Sequence, residues 1–169
     1  MKLKIKAKLA SVLSEVLVSD AKGDMLFCAE TEPLSAPRKS CFKDASYNVL
    51  ATVTTARLDT AKRAHHVVMT DGRTFDLTRK YRNPASTTES IITVENVGWC
   101  AVTRRAWTNR FEIRSEDGAV LAEAKQIAAE RGDAYELNVK DEQHTAELVL
   151  IALIARYIMR EDTPAPAAP

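Results

Sequence analysis

The sequence predicts an α+β fold that is mostly β, with roughly twelve antiparallel strands closed as a barrel around a central hydrophobic C-terminal helix. Three observations carry that expectation. The chain opens with strict alternation of apolar and charged residues, repeats a strand–turn–strand pattern through its middle, and ends in a helical segment that is apolar on every side.

The first residues set the period. Leu3, Ile5, Ala7 and Leu9 fall on one face, and Lys2, Lys4, Lys6 and Lys8 on the other. A period of two marks a strand with one buried and one wet face. Four lysines in a row also suit an edge strand, where charge discourages pairing with other chains. Four segments then read as hairpins: VLVSDAKGDMLFCAET (16–31), CFKDASYNVLATVTT (41–55), HVVMTDGRTFDLTRK (66–80) and FEIRSEDGAVLAEAK (111–125). Gly23, Gly72, Gly118 and Gly132 punctuate these or similar breaks, because glycine accepts the positive φ of a tight turn. The segments Pro33–Pro37 and Asn83–Ser86 read as loops.

The C-terminal segment changes the period. Helix formers run from Thr145 to Arg160, with Thr145 as the candidate cap and Asp141 as the second choice. On a helical wheel, the apolar residues from Leu148 to Met159 leave no empty face wider than about 60°. Glu147 and Arg156 fall on opposite sides and define no wet stripe. Burying Leu148, Leu150, Ile151, Ile154, Tyr157, Ile158 and their apolar neighbours contributes about 14–27 kcal/mol as an upper bound. Such a helix must be surrounded, and a curled meander with an interior too wide for side chains alone can surround it. A sheet packed on a helix bundle fails for want of a second helix.

Bulk properties fit one globular domain, assigned to residues 1–162, followed by a Pro/Ala-rich tail at 163–169 expected to be disordered. Hydrophobic residues make up 46% and charged residues 28% of the 169, the usual globular mixture rather than a disordered one. Net charge is +1, yet residues 1–114 hold 19 Lys/Arg against 12 Asp/Glu, while residues 115–169 hold 5 against 11. Cys28, Cys41 and Cys100 form no CxxC pair and read as buried reduced thiols of a cytoplasmic protein. Lysines interrupt the N-terminal apolar residues, so no secretory leader is expected. The longest uncharged apolar run, Leu148–Ala155, is too short to span a bilayer.

One stretch carries a family resemblance. FEIRSEDGAVLAEAKQIAAERGDAYELNVKDEQHTAELVLIALIARYIM (111–159), with Gly132, Asp133 and Tyr135 at gDxY positions and a hydrophobic final helix, resembles the C-terminal half of the LURP-one-related family. The early strand, the SDAKG turn and the KDASYNVLATV segment resemble its N-terminal half. The resemblance implies a tubby-like barrel of twelve strands around a central helix, shared with tubby proteins and phospholipid scramblases. It also implies a non-enzymatic role, with tubby relatives binding phosphoinositide head groups through basic surface residues. The final helix of many members carries an acidic residue near its end, where this chain has Arg156.

No catalytic signature accompanies these features. There is no GxSxG, no Ser paired with His at a recognisable spacing, and no glycine-rich phosphate loop. His65 and His66 would point to opposite faces of a strand, one exposed and one half-buried, so they cannot chelate one metal. His144 reads as solvated. The acidic pairs Glu116–Asp117 and Asp141–Glu142 read as turn chemistry. No cofactor and no metal are expected. Basic clusters remain, and from them Lys4, Lys6, Arg79, Lys80, Arg104 and Arg105 are the candidate contacts to lipid head groups, with solvated strand faces as the alternative reading. Near an anionic membrane each basic residue contributes about 1 kcal/mol, so four on one strand give a dissociation constant near millimolar and a second cluster must converge with them. Nucleic acid is disfavoured because aromatic residues, 6% of the chain, do not interleave with the basic ones. The leading expectation is a cytoplasmic binding or scaffold module, peripheral at anionic membranes. A protein-interaction module and an enzyme with an unrecognised site are the alternatives.

Overall fold

The computed structural model describes residues 1–7, 15–32, 34, 37–59, 62–80, 90–103, 110–127 and 133–161. Twelve strands, β1 (Lys2–Ala7), β2 (Val16–Ser19), β3 (Met25–Thr31), β4 (Arg38–Asp44), β5 (Val49–Asp59), β6 (Lys62–Met69), β7 (Thr74–Lys80), β8 (Ser90–Glu95), β9 (Trp99–Thr103), β10 (Arg110–Arg114), β11 (Val120–Gln126) and β12 (Asp133–Val139), precede one helix, α1 (Thr145–Glu161). Each strand pairs antiparallel with its neighbours in sequence, and β1 also pairs with β12, closing the barrel. β1 is therefore not the edge strand its lysines suggest. Its outward lysines face water while its backbone is paired on both sides, by Ser19–Val16 and by Asn138–Asp133.

Alternation decides which side chains go inside. Leu3 and Ile5 are buried while Lys2, Lys4 and Lys6 are exposed. The same parity buries Val16 and Val18, Val67 and Phe75, Ile92 and Val94, and Ile113 and Leu137. Much of the inner wall is small: Ala29, Ala51, Ala101, Ala122 and Ala124 are buried, leaving room for a helix at the axis. α1 fills that room. Leu148, Leu150, Ile151 and Ile154 are completely buried, Ile158 nearly so, and Tyr157 is half-buried. The all-round apolar helix is the core of the barrel, which satisfies strands and helix together.

The helix has a direction. It enters at the rim that carries the turns β2–β3, β4–β5, β6–β7, β8–β9 and β10–β11, and runs toward the opposite rim. Arg73 of the β6–β7 turn binds Glu147 in the first turn of α1, and Tyr157 near the other end meets His65 ring edge to face at 6.0 Å. A single 3-10 turn, Glu142–His144, leads into α1. Thr145 does not cap the helix by its side chain: it is the first helical residue, and its Oγ1 donates to the Glu142 carbonyl at 2.8 Å. Asp141 makes no side-chain cap bond either; its Oδ2 lies 2.7 Å from His144 Nδ1. Residues 163–169, read as a disordered tail, lie outside the described residues, as do Lys8, Leu9, Gly132 and residues 81–89, which include the Asn83–Ser86 loop.

Candidate functional site

The two rims of the barrel differ in charge, and the turn chemistry explains one of them. Asp20 Oδ1 accepts from the N–H groups of Lys22 and Asp24 at 2.9 and 3.0 Å, and Asp44 Oδ1 accepts from those of Ser46 and Asn48 at 2.9 and 3.0 Å. Asp71 Oδ1 and Asp117 Oδ1 do the same for Arg73 and Ala119 at 3.0 and 3.3 Å. An aspartate that closes a turn on itself is a local structural choice repeated at four hairpins. Asn48, through its side-chain amide, holds the Asp44 carboxyl below the ordinary aspartate range. The Arg73 backbone N–H lowers Asp71, and the Ser115 hydroxyl lowers Asp117. With Asp24, Glu95, Glu116, Asp141 and Glu142 beside them, these turns make the hairpin rim acidic.

The opposite rim is basic. The strand ends that meet there carry Lys6 on β1, Arg38 and Lys39 on β4, Arg110 on β10 and Lys125 on β11, besides Arg79 and Lys80 at the end of β7. Glu15, Glu32, Asp59 and Asp133 stand at the same rim and are outnumbered. Arg110 and Lys125 face each other in register. No spacing rule would have grouped these basic residues. They share a rim because odd-numbered strands end where even-numbered strands begin.

The six basic candidates distribute unevenly over this frame. Lys4 sits mid-wall between Ser19 and Glu136, and Lys6 is nearer the basic rim between Leu17 and Ala134; both are exposed. Glu136 tempers that wall, with its Oε1 3.9 Å from Lys2 Nζ. Arg79 and Lys80 pair with Ile92 and Ile91. β1 and β7 are six strands apart in the ring, so Lys6 shares a rim with the strand end that carries Arg79 and Lys80 but stands on the opposite side of the barrel. Arg104 and Arg105 lie outside the described residues; the strand ends that flank them, Thr103 and Arg110, both stand at the basic rim.

The titratable groups on the walls do not assemble a reaction centre among the described residues. His66 is exposed and its Nδ1 lies 2.7 Å from Asp76 Oδ1. His144 is half-buried rather than solvated, because it packs edge-on against Trp99 with ring centroids 5.3 Å apart. Neither imidazole is joined to a hydroxyl or thiol among the described hydrogen bonds. His65 is fully buried, so the pair is one exposed and one buried histidine rather than one exposed and one half-buried; its Nδ1 lies 3.0 Å from Thr55 Oγ1. Ser40 Oγ, also buried, lies 3.0 Å from Thr31 Oγ1.

The cysteines correct another expectation. Cys28, Cys41 and Cys100 are free but only partly buried, because each falls on the outward register of its strand, next to buried Ala29, Phe42 and Ala101. Burial raises the Cys28 and Cys41 thiols above the ordinary value, and the Glu32 carboxylate adds to the rise at Cys41. Such thiols stay protonated and are poor nucleophiles. No group of three or more His, Cys, Asp or Glu side chains among the described residues could hold a metal ion. No helix among them is long and apolar enough to cross a membrane.

No curated protein matches the chain. A solved X-ray structure of a protein from Arabidopsis thaliana is similar to it at 14% identity, with a TM-score of 0.47, covering 92% of this chain and 89% of that one. The family model described as LURP-one-related matches residues 1–156, all twelve strands and most of α1, and the chain belongs to that family.

Proposed function

We propose that this barrel is a non-catalytic binding domain that docks its basic rim on anionic phospholipid head groups. The charge polarity between the rims carries the reading. A body with acidic turns at one end and Lys6, Arg38, Lys39, Arg110 and Lys125 at the other is oriented by a negatively charged surface before it touches it. At about 1 kcal/mol for each basic residue near such a surface, five residues on one rim reach the micromolar-to-millimolar range that Lys4 and Lys6 alone cannot. The interior supports a binding role over a catalytic one, because aliphatic side chains of α1 occupy the axis where a reaction centre would need polar groups.

Flotation with phosphatidylcholine vesicles, with and without phosphatidylinositol bisphosphate, tests the proposal. The chain should float only with the anionic vesicles and should be released by high salt. Equal recovery with both vesicles would count against it. A second reading, docking of a protein partner, is favoured by the uncharged register row Cys41–Thr52–Val68 on the outer wall, where Val68 is exposed. Flotation failing while Val68→Lys abolishes capture of a partner would support that reading instead.

A further inference from the structure

The outer wall of the barrel has two sides of different chemistry. From β10 round to β1 its outward positions carry many charges, as in the register row Arg110–Lys125–Glu136–Lys4. Across β5 and β6 the described outward partners are Thr52 with Val68 and Thr54 with His66, and none of the four is an acid, a lysine or an arginine. These pairs extend to the neighbouring strands as two rows, Cys41–Thr52–Val68–Thr74 and, nearer the basic rim, Lys39–Thr54–His66–Asp76. Val68 is 41% exposed, and Val49 at the start of β5 is 42% exposed. Single exposed aliphatics are ordinary on a surface, but a contiguous charge-poor patch with a charged border has the composition of an interface core.

The charges that border this patch have opposite signs. Lys39 on β4 stands one strand outside Thr54, and Asp76 on β7 stands one strand outside His66, so the two flank the β5–β6 seam symmetrically. A two-fold axis along that seam, parallel to the strands, sets Lys39 of one copy against Asp76 of the other, twice. Between these contacts it sets Thr52 against Val68 and Thr54 against His66. The Asp76 carboxylate is already oriented by its own histidine, with Oδ1 2.7 Å from His66 Nδ1. Lys43, further along β4, is tied to Glu30 at 2.5 Å. Glu32, the neighbour of Lys39 across β3–β4, turns its Oε1 to Cys41 Sγ at 3.8 Å. The same operation fails on the charged side, where an axis between β11 and β12 would set Arg110 against Lys4. Aligned face-to-face packing of sheets is the ordinary geometry for such a contact.

We propose that the β4–β7 wall is the contact between two copies of this chain, related by a two-fold axis along the β5–β6 seam. This rests on the reading of the uncharged row as a protein-docking face and names its occupant; it does not depend on lipid binding at the rim. The self-complementary border carries the choice of a second copy, since a wall with like charges on both flanks would repel its own image. Two convex walls meet over few strands, so the dimer belongs at the small end of interface sizes, with a dissociation constant of about 1–100 μM.

Sedimentation velocity of the full chain, over concentrations that bracket this range, tests the proposal. The mass should move from 18.7 kDa toward twice that value as concentration rises. Val68→Lys places a cation at the centre of both halves of the contact and should weaken association about tenfold or more at an unchanged melting temperature. The chains Lys39→Asp and Asp76→Lys should each be monomeric alone, because each sets like charges opposite one another. Mixing them should restore the dimer, since both contacts then join a lysine to an aspartate. Recovery on mixing also requires both chains to be folded, so it separates loss of contact from loss of structure. Charge-swapped chains that remain monomeric when mixed, beside a dimeric parent, would overturn the two-fold arrangement. A parent that stays monomeric throughout would overturn the dimer. If Val68→Lys still abolished capture of a partner by that monomer, the face would belong to a different protein; unaltered capture would overturn the docking face as well.

Discussion

Arg73 Nη2, in the turn between β6 and β7, lies 2.5 Å from Glu147 Oε1 in the first turn of α1, while Arg73 Nε reaches back 2.8 Å to Asp71 Oδ2 in its own turn. One guanidinium therefore ties the wall to the helix at the point where the helix enters. Glu147 is the more buried partner, with 12% of its side chain exposed against 54% for Arg73. A carboxylate at a helix N-terminus is well placed with respect to the helix dipole, but this one also depends on its arginine for solvation.

Replacing Arg73 by methionine keeps the aliphatic stem and removes both ion pairs. Glu147 would be left partly buried without its partner, at a cost of about 1–3 kcal/mol. Urea unfolding should show a lower midpoint with an unchanged slope, and the double variant Arg73→Met with Glu147→Gln should recover part of the loss. No shift in midpoint would show that the pair is solvated and contributes nothing.

The helix itself is the most sensitive element. Leu150→Ala or Ile154→Ala should destabilise by about 2–5 kcal/mol, since each side chain is completely buried and leaves a cavity between helix and wall. Leu150→Asp or Ile154→Asp adds an unpaired buried charge and should yield no soluble folded protein. A folded Ile154→Asp chain with native circular dichroism would contradict the placement of α1 at the axis.

Acid should loosen the hairpin rim. The Asp44, Asp71 and Asp117 carboxyls are all held below their ordinary value by hydrogen bonds within their turns. A depressed folded-state pKa contributes stability that is complete above the unfolded value, about 3.9 for aspartate, and is lost as pH falls through the folded values. The melting temperature should therefore hold down to about pH 4 as far as these groups are concerned, then fall. The fall should be shallower in the triple variant Asp44→Asn, Asp71→Asn, Asp117→Asn. An equally steep acid limb in that variant would assign the loss to other groups.

Tyr47 stands where three other hairpins have glycine. Its φ is +64°, against +92°, +93° and +89° for Gly23, Gly72 and Gly118, each of which donates its N–H across the same kind of turn. A side chain in the left-handed region costs about 1–2 kcal/mol, partly offset in Tyr47→Gly by the greater freedom glycine has when unfolded. Tyr47→Gly should therefore be neutral or stabilising by up to about 1 kcal/mol, whereas Gly72→Ala should be destabilising by about that much. A strongly destabilised Tyr47→Gly chain would mean that the exposed tyrosine ring has a partner in the folded state.

The parts of the fold that are legible in sequence are those written in local periodicity. Alternating lysines and aliphatics mark β1, aspartate-bearing turns mark four hairpins, and the absence of any wet face on residues 148–159 requires a helix enclosed by something else. The β8–β9 hairpin escapes because its turn, Glu95-Asn96-Val97-Gly98, has no Asp-Gly; Asn96 and Gly98 supply the positive φ instead, at +72° and +73°. The binding face is less legible, for a geometric reason. A basic residue's end of the barrel depends on how many reversals precede it, so Lys6 and Lys125 belong to one rim although 118 residues separate them in sequence. Residue type alone puts Cys28 and Cys41 in the core, whereas strand parity puts them on the outside.

The seam that joins β1 to β12 sets Lys2 opposite Asn138. No ring exists until β12 has been made, and the plug follows the last stave. Until then the growing polypeptide presents an open, one-sidedly greasy sheet with two free margins, the state from which strand proteins most readily aggregate. Its assembly should be slow, governed by how soon its first and last strands meet, and its yield in cells should depend on chaperones that shield the half-built wall.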